Sequence, residues 1–340
     1  MSHPNGAPLR ADTARHWAQR LAAYRTPSHG RSAFELAVTL LPFLGIWAAA
    51  LAVLEASPWL SLVLALANAG FLVRLFLIQH DCGHGAFLRP RAASDWLGRA
   101  LGVLTLTPYD VWKRYHAMHH GAAGHLDHRG IGDVWTLTVR EWRALPRRER
   151  LQYRLYRHPL VLFGLGPAWV FLVQYRLPLD LEREGARFWI SAMGTNLALG
   201  AILFGLWAVW GWSAILLIWL PSTLGAASIG VWLFYVQHQF EDTSWDGAPD
   251  WQLHHAALHG SSHLVLPPLL RWFSADVGIH HVHHLQSRVP FYRLREVLRD
   301  HPALDAAQRL TLRESLACTR LKLWCEERRC LVGFADEIGR

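Results

Sequence analysis

Four stretches of roughly 20 apolar residues interrupt an otherwise polar, arginine-bearing chain. They run from about Ala33 to Leu54, Leu60 to Ile78, Phe188 to Trp207 and Ala214 to Tyr235. As helices rising about 1.5 Å per residue, each is long enough to cross a hydrocarbon core of about 30 Å. The first two are joined by Glu55-Ala56-Ser57-Pro58 and the last two around Trp210-Gly211-Trp212, and neither turn contains Lys or Arg. The N-terminal arm, the segment from Gln79 to Arg187 and the tail after Val236 are rich in arginine. The positive-inside rule therefore predicts two membrane hairpins, with both termini and the central segment cytosolic. Two further stretches, about Trp96 to Tyr109 and Pro159 to Leu177, are broken by Gly, Pro and polar residues. They read as interfacial or re-entrant helices, with an added pair of spans as the alternative. From Leu294 to Arg340 the pattern reads as amphipathic helix with Arg and Glu on its polar face. The expected fold class is all-α: an integral membrane protein with four transmembrane helices in two hairpins and a cytosolic helical cap. Its expected divisions are an N-terminal arm (1–32), a membrane domain (33–300) and a helical tail (301–340).

Composition agrees with that pattern. The 340 residues are 52% hydrophobic, include 18 Trp and are only 18% charged, so the two soluble domains that length alone suggests are not expected. Met1 to Arg31 lacks the apolar core of a signal peptide. Cys82, Cys318, Cys325 and Cys330 form no CxxC and are expected as reduced thiols on the cytosolic side. A net charge of +8 suggests nucleic acid for a soluble protein. In a membrane protein it reflects cytoplasmic arginines and a docking face for an acidic protein, and no nucleic-acid partner is expected.

The chemistry lies in histidines at the cytoplasmic ends of the hairpins. The clusters are His80-Asp81-Cys82-Gly83-His84, His116-Ala117-Met118-His119-His120 and His280-His281-Val282-His283-His284. Helical residues at i, i+3 and i+4 share a face, which aligns His80 with His84, His116 with His119 and His120, and His280 with His283 and His284. Histidines gathered at random at a membrane interface do not fall into three such sets. Eight imidazoles exceed the needs of one metal ion and suit two. His238, at the end of the fourth span and the depth of His80, is a ninth candidate, the other reading being a lone interfacial histidine. His281 breaks the helical pattern and should point away. Imidazole suits Zn, Cu, Fe or Ni. Zinc hydrolysis usually uses three protein ligands and a general base, so nine imidazoles at a membrane face suit O2 activation at iron better.

Candidate carboxylates for orienting these rings are Asp81, Asp110, Asp127, Asp133, Glu241, Asp242 and Asp276. Asp276 shares a face with His280 if the helix is continuous, as a ligand, a support or a helix cap. His254, His255, His259 and His263 form a fourth cluster that reads as a solvated cytosolic face. His125, His128, His158 and His301 read as surface residues.

The order HxxxH, HxxHH, HxxHH with membrane hairpins between resembles the membrane fatty acid desaturase superfamily, and most of all bacterial acyl-lipid desaturases of the Δ12/omega-6 type. Supporting stretches are Gly130 to Val139 (GIGDVWTLTV), Val236 to Glu241 (VQHQFE), Gly260-Ser261-Ser262-His263, and Gly278 to Leu285 (GIHHVHHL) with Arg288-Val289-Pro290. The likeness covers about Ala33 to Asp300. It implies that His80, His84, His116, His119, His120, His238, His280, His283 and His284 bind two iron ions. It further implies O2 as co-substrate and a lipid acyl chain as substrate. Electrons would come from a separate ferredoxin or cytochrome b5 type donor, since no HPGG haem motif is present at either end. Arg143, Arg147, Arg148 and Arg150 offer that donor a basic dock, and a bacterial inner membrane is the expected location. Two departures stand out: relatives commonly carry Asn where this chain has Asp276, and His125 and His128 are unexpected. Phe71, Phe76, Trp219, Trp232 and Phe234 are candidate acyl-channel or packing residues.

Two alternatives remain open on sequence. A membrane di-iron hydroxylase or ketolase acting on alkanes, fatty acids or carotenoids uses similar histidine boxes. A metal transporter or sensor is disfavoured because the clusters lie outside the apolar spans, with Arg74 the main intramembrane charge.

Overall fold

The computed structural model describes residues 11–130 and 133–338. The first ten residues of the expected arm, Ile131 and Gly132 of the GIGDVWTLTV stretch, and the last two residues of the tail lie outside the described residues.

The chain is mostly helical, with helices α1 (Ala11–Arg20), α2 (His29–Ala52), α3 (Pro58–His84), α4 (Arg91–Leu104) and α5 (Tyr109–Ala122) in its first part. There follow α6 (Val139–Ala144), α7 (Arg147–Tyr156), α8 (Gly166–Leu172), α9 (Ala186–Ala214) and α10 (Leu220–His238). The last part carries α11 (Leu253–His259), α12 (Pro268–Phe273), α13 (His280–Leu285) and α14 (Leu294–Asp300).

Among the described residues, three stretches are long and apolar enough to cross a membrane: His29–Ala52, Pro58–His84 and the 53-residue run Ala186–His238. The last would measure about 80 Å as one straight helix, far more than a single crossing needs. It breaks at Gly211 (φ 66°, ψ −164°), a conformation that glycine tolerates, and re-forms through a π-turn at Ile215–Trp219. Leu206 before the break and Ile218 after it share one apolar cluster. The pair Arg147–Tyr156 and Val161–Glu184, bent by 58°, makes up to a fourth candidate if taken as one broken span. That bend holds the expected re-entrant segment, and Leu165 and Trp169 on it are exposed. The Trp96 to Tyr109 stretch lies in amphipathic α4 as far as Leu104 and ends at the start of α5, and α4 packs on α3 and α9.

Exposed apolar side chains such as Ile190 (71%), Leu197 (78%) and Phe204 (65%) form a surface suited to lipid rather than water. Helix α3 lies at the centre, against α2, α4 and α10. Ser57 caps its start by accepting from the Leu60 N–H, and Pro58 opens its first turn. Gly85, in the left-handed conformation (φ 66°), stops it one residue past His84. Within the bundle, buried Arg74 of α3 pairs with buried Glu35 of α2 and also donates to the Trp272 carbonyl.

The tail departs from the expected single amphipathic helix. Beyond α14 it forms short helices (Pro302–Asp305, Leu312–Ala317) and three strands. Strand β1 (His263–Val265) pairs in parallel with β2 (Arg309–Thr311), and β3 (Leu323–Cys325) pairs antiparallel with β4 (Cys330–Val332). Burial of Trp324 against Trp245 favours strand over helix there.

Candidate metal centre

The nine expected histidines converge in two groups. His80, His84, His116, His120 and His283 form one, and His119, His238, His280 and His284 the other. Within each group one ring nitrogen per residue lies within 4.8 Å of all the others. Helix α3 contributes only to the first group and α10 only to the second. Helices α5 and α13 each divide their histidines between the two.

Nε2 atoms face one another at 2.9 Å (His84–His116), 3.1 Å (His116–His120) and 3.1 Å (His120–His283) in the first group. In the second the separations are 3.1 Å (His119–His238), 3.0 Å (His238–His280) and 3.0 Å (His280–His284). Two imidazole nitrogens each about 2.1 Å from one cation, at right angles, lie about 3.0 Å apart. The donor sets therefore fit a cation at the middle of each group. Burial and neighbouring imidazoles hold His116, His119, His280, His283 and His284 well below the usual histidine range, and burial pushes His120 down to about 3. At neutral pH these rings keep the lone pairs that metal ligation requires.

Supporting contacts fix the rings. The carbonyl of Gly260 lies 2.9 Å from His238 Nδ1, which sets the tautomer that leaves Nε2 free. Asp81 places Oδ1 3.5 Å from His80 Nδ1, while its Oδ2 accepts from the Phe291 N–H at 2.7 Å. Trp112 stacks on His116 (4.8 Å, 15°), and it approaches α3 so closely that a Cβ on Gly83 would sit 2.8 Å from its ring. Phe234 packs on His119 at 4.9 Å, and Phe76 meets Trp112 edge-on at 5.5 Å. Phe71 packs against Trp272 and Phe273.

The other carboxylates lie elsewhere. Asp110 pairs with Arg99, Asp127 accepts from the Ala248 N–H, and Asp133 accepts from the Val134 N–H. Asp276 does not continue the His280 helix. Ala275 and Asp276 are left-handed (φ 47° and 53°), α13 begins only at His280, and Asp276 pairs with Arg271 at 3.3 Å. His281 does turn away, with its Nε2 2.9 Å from the Leu304 carbonyl.

Three histidines expected at the surface or in solvent are packed instead. His263 is buried against His281, His125 lies against Trp251, and His301 meets Trp17 edge-on. Trp112 escaped the sequence reading although it lies one turn before His116 and so on its face. The Gly260 carbonyl carries no side-chain signal at all.

Comparison with known proteins agrees with this geometry. The family profile "Fatty acid desaturase" matches residues 57–315. A fatty acid desaturase of Bacillus subtilis (strain 168) is 41% identical over 316 residues, 93% of this chain and 89% of the relative. The sn-1 oleoyl-lipid 12-desaturase of Synechocystis is 26% identical, covering 70% of this chain and 67% of its own length. An sn-1 acyl-lipid omega-3 desaturase (ferredoxin) of the same organism is 26% identical, covering 65% of this chain and 61% of its own length. With the histidine boxes gathered at one end of apolar helices, these matches show that the chain belongs to the fatty acid desaturase family, a family of oxidoreductases.

Proposed function

We propose that this chain introduces a double bond into an acyl chain of a membrane glycerolipid, with Δ12/omega-6-like regiochemistry. Its centre would be two iron ions held by His80, His84, His116, His120 and His283 and by His119, His238, His280 and His284. The observation that carries the reading is the pair of all-histidine groups, with Nε2 separations near 3 Å, at the ends of apolar helices. Iron held there supplies the one-electron chemistry that couples O2 reduction to removal of two hydrogens from adjacent methylenes. The overall balance joins O2, two donor electrons, two protons and two acyl hydrogens into two waters and one double bond.

The chain's own residues orient and shield that site. Gly260 and Asp81 set ring orientation, and the aromatic layer of Phe76, Trp112 and Phe234, about one turn nearer the membrane, excludes bulk water. In this reading α2, α3, α9 and α10 cross a bacterial inner membrane as two hairpins, with termini and histidines cytosolic. The positive-inside distribution of arginine supports that orientation. Residues 1–32 and 301–340 would then flank the membrane domain 33–300 on the cytosolic side.

The electron donor would be a separate ferredoxin or cytochrome b5 type protein, and a relative named as ferredoxin-linked supports the former. Arg147 and Arg148 are exposed and available to it, whereas Arg150 binds the carbonyls of Leu145 and Arg143. The test is a gas-chromatographic and mass-spectrometric fatty acid profile of a host membrane expressing this chain beside its His284→Ala variant. New unsaturated chains in the wild type alone support the reading and locate the bond. Hydroxylated products, or no new product with iron bound and donor supplied, overturn it.

A further inference from the structure

Away from the histidines, a cavity of about 350 Å³ opens between α12, the left-handed turn at Ala275–Asp276, α14 and the β1–β2 ladder. Four guanidinium groups line it (Arg271, Arg295, Arg299 and Arg309), against two carboxylates, Asp276 and Asp305. Arg271 pairs with Asp276 at 3.3 Å and Arg309 with Asp305 at 2.9 Å, while Arg299 pairs with Asp300. Arg295 is exposed and makes no hydrogen bond or ion pair among the described residues. The cavity thus carries an excess of positive charge.

Its position gives that charge a meaning. Helix α12 forms one lip, and its Leu269 (66%) and Leu270 (44%) are exposed. The same helix packs on the membrane helix α3 through Phe273, whose ring would lie 2.9 Å from a Cβ on Gly70. Arg74, at this level of α3, is about 15 Å along the axis from His84. The lip therefore exposes two leucines, while the next side chain along it, Arg271, lines the cavity. A glycerophospholipid has the same succession, apolar chains and then a phosphate. Guanidinium forks bind phosphate oxygens through paired, charge-assisted hydrogen bonds. The opposite wall includes Gly278 and Ile279, the residues that lead into His280, and Gly278 accepts from the Leu264 N–H at 2.8 Å.

We propose that this cavity receives the phosphate of a glycerophospholipid, so that the lipid presented to this protein is a phospholipid rather than an uncharged glycerolipid. That the bound lipid is also the substrate rests on the desaturase reading; the binding site does not.

The test uses the full-length, iron-loaded protein in uncharged detergent, with fluorescent phosphatidylglycerol as probe. Arg295→Ala is expected to weaken binding about tenfold, the loss of one charge-assisted contact, and Arg295→Glu more. Melting temperature and iron content should stay near wild-type values, because Arg295 makes no direct hydrogen bond or ion pair and acts on Asp276 only through space. A glycosyl-diacylglycerol probe should bind weakly to all three proteins. Arg140→Glu, on the highly exposed Arg140 side chain elsewhere, should leave phosphatidylglycerol binding intact. Equal binding to wild type and Arg295→Glu overturns the proposal, and so does an equal loss in Arg140→Glu, which would mean diffuse surface charge. Displacement of the probe by millimolar inorganic phosphate or coenzyme A would overturn the lipid source in favour of a soluble phosphate. Fatty acid profiles separate the two readings. Unsaturated products with binding indifferent to Arg295 sink this inference alone, and Arg295-dependent binding without product sinks the desaturase reading alone.

Discussion

Gly83→Ala tests whether packing behind the histidines sets the metal site. A Cβ at position 83 would stand 2.8 Å from Trp112 Cζ3 and 3.3 Å from Cη2. Carbon atoms settle at about 3.5–4.0 Å, so the indole must retreat by about 1 Å. Trp112 is only 5% exposed and is stacked on His116, whose Nε2 lies 2.9 Å from that of His84. The retreat therefore passes to His116. Overpacking of this kind costs about 1–3 kcal/mol. Metal constellations tolerate displacements of about 0.5 Å, and a lost supporting contact lowers metal affinity about 10–100-fold. The assay is iron content after dialysis against graded chelator, with turnover and melting temperature measured on the same samples. Gly70→Ala is the control, because its Cβ would meet Phe273 at 2.9 Å on the same helix, away from the histidines. Both variants should melt several degrees lower, at about 2–4 °C per kcal/mol. Only Gly83→Ala should lose iron. Wild-type iron retention in Gly83→Ala, with Gly70→Ala destabilised as expected, would refute the reasoning.

Other outcomes follow from the same structure. His84→Ala and His284→Ala each remove a proposed ligand, from different groups, so each should lower bound iron and abolish turnover; full activity in either rejects the assignment. Glu35→Gln strands the buried Arg74 and should cost about 3–5 kcal/mol. Adding Arg74→Met should recover most of that, and additive losses in a double-mutant cycle of melting curves would disprove the coupling. Fully buried Arg157 binds the carbonyls of Trp135 and Leu321 and the side chains of Thr136 and Gln239, the last beside His238. Arg157→Ala should therefore destabilise by about 3 kcal/mol or more through unsatisfied acceptors, and an unchanged melting temperature would contradict this. Burial lowers Lys322 to about 8, so in the folded protein its charge is disfavoured relative to the unfolded chain. That penalty is full below about pH 8 and is relieved as pH rises toward the ordinary lysine value. The melting temperature of wild type should therefore gain on that of Lys322→Met between pH 7.5 and 9.5, and a constant difference counts against it.

The histidine groups are legible in the sequence because a helix turns i, i+3, i+4 spacing into a shared face before any tertiary contact is known. The apolar runs are legible for a similar reason, since length and composition alone state what a bilayer needs. What escapes is set by partners distant in the chain. His263 looks like a member of a solvated cluster, yet pairing of β1 with Arg309–Thr311 buries it. Asp276 has helical spacing to His280, but two consecutive left-handed residues turn it into the arginine-lined cavity. The tail has the Arg and Glu pattern of a helix, whereas burial of Trp324 selects a strand. How one face of α5 serves two groups is likewise decided by α3 and α10, not by its own sequence.

That division of labour has a consequence for life in a bilayer. Adjacent residues, His119 with His120 and His283 with His284, go to opposite groups. The interval between the two centres is thus carried by single steps along α5 and α13, each about 1.5 Å of rise and 100° of turn. Neither helix is among the candidate membrane spans. In the proposed topology, a thicker or thinner bilayer would change the tilt of the apolar helices α3 and α10, but not the repeat within α5 or α13. Under the proposed function, the spacing of the two centres would in this way be independent of the membrane around the protein.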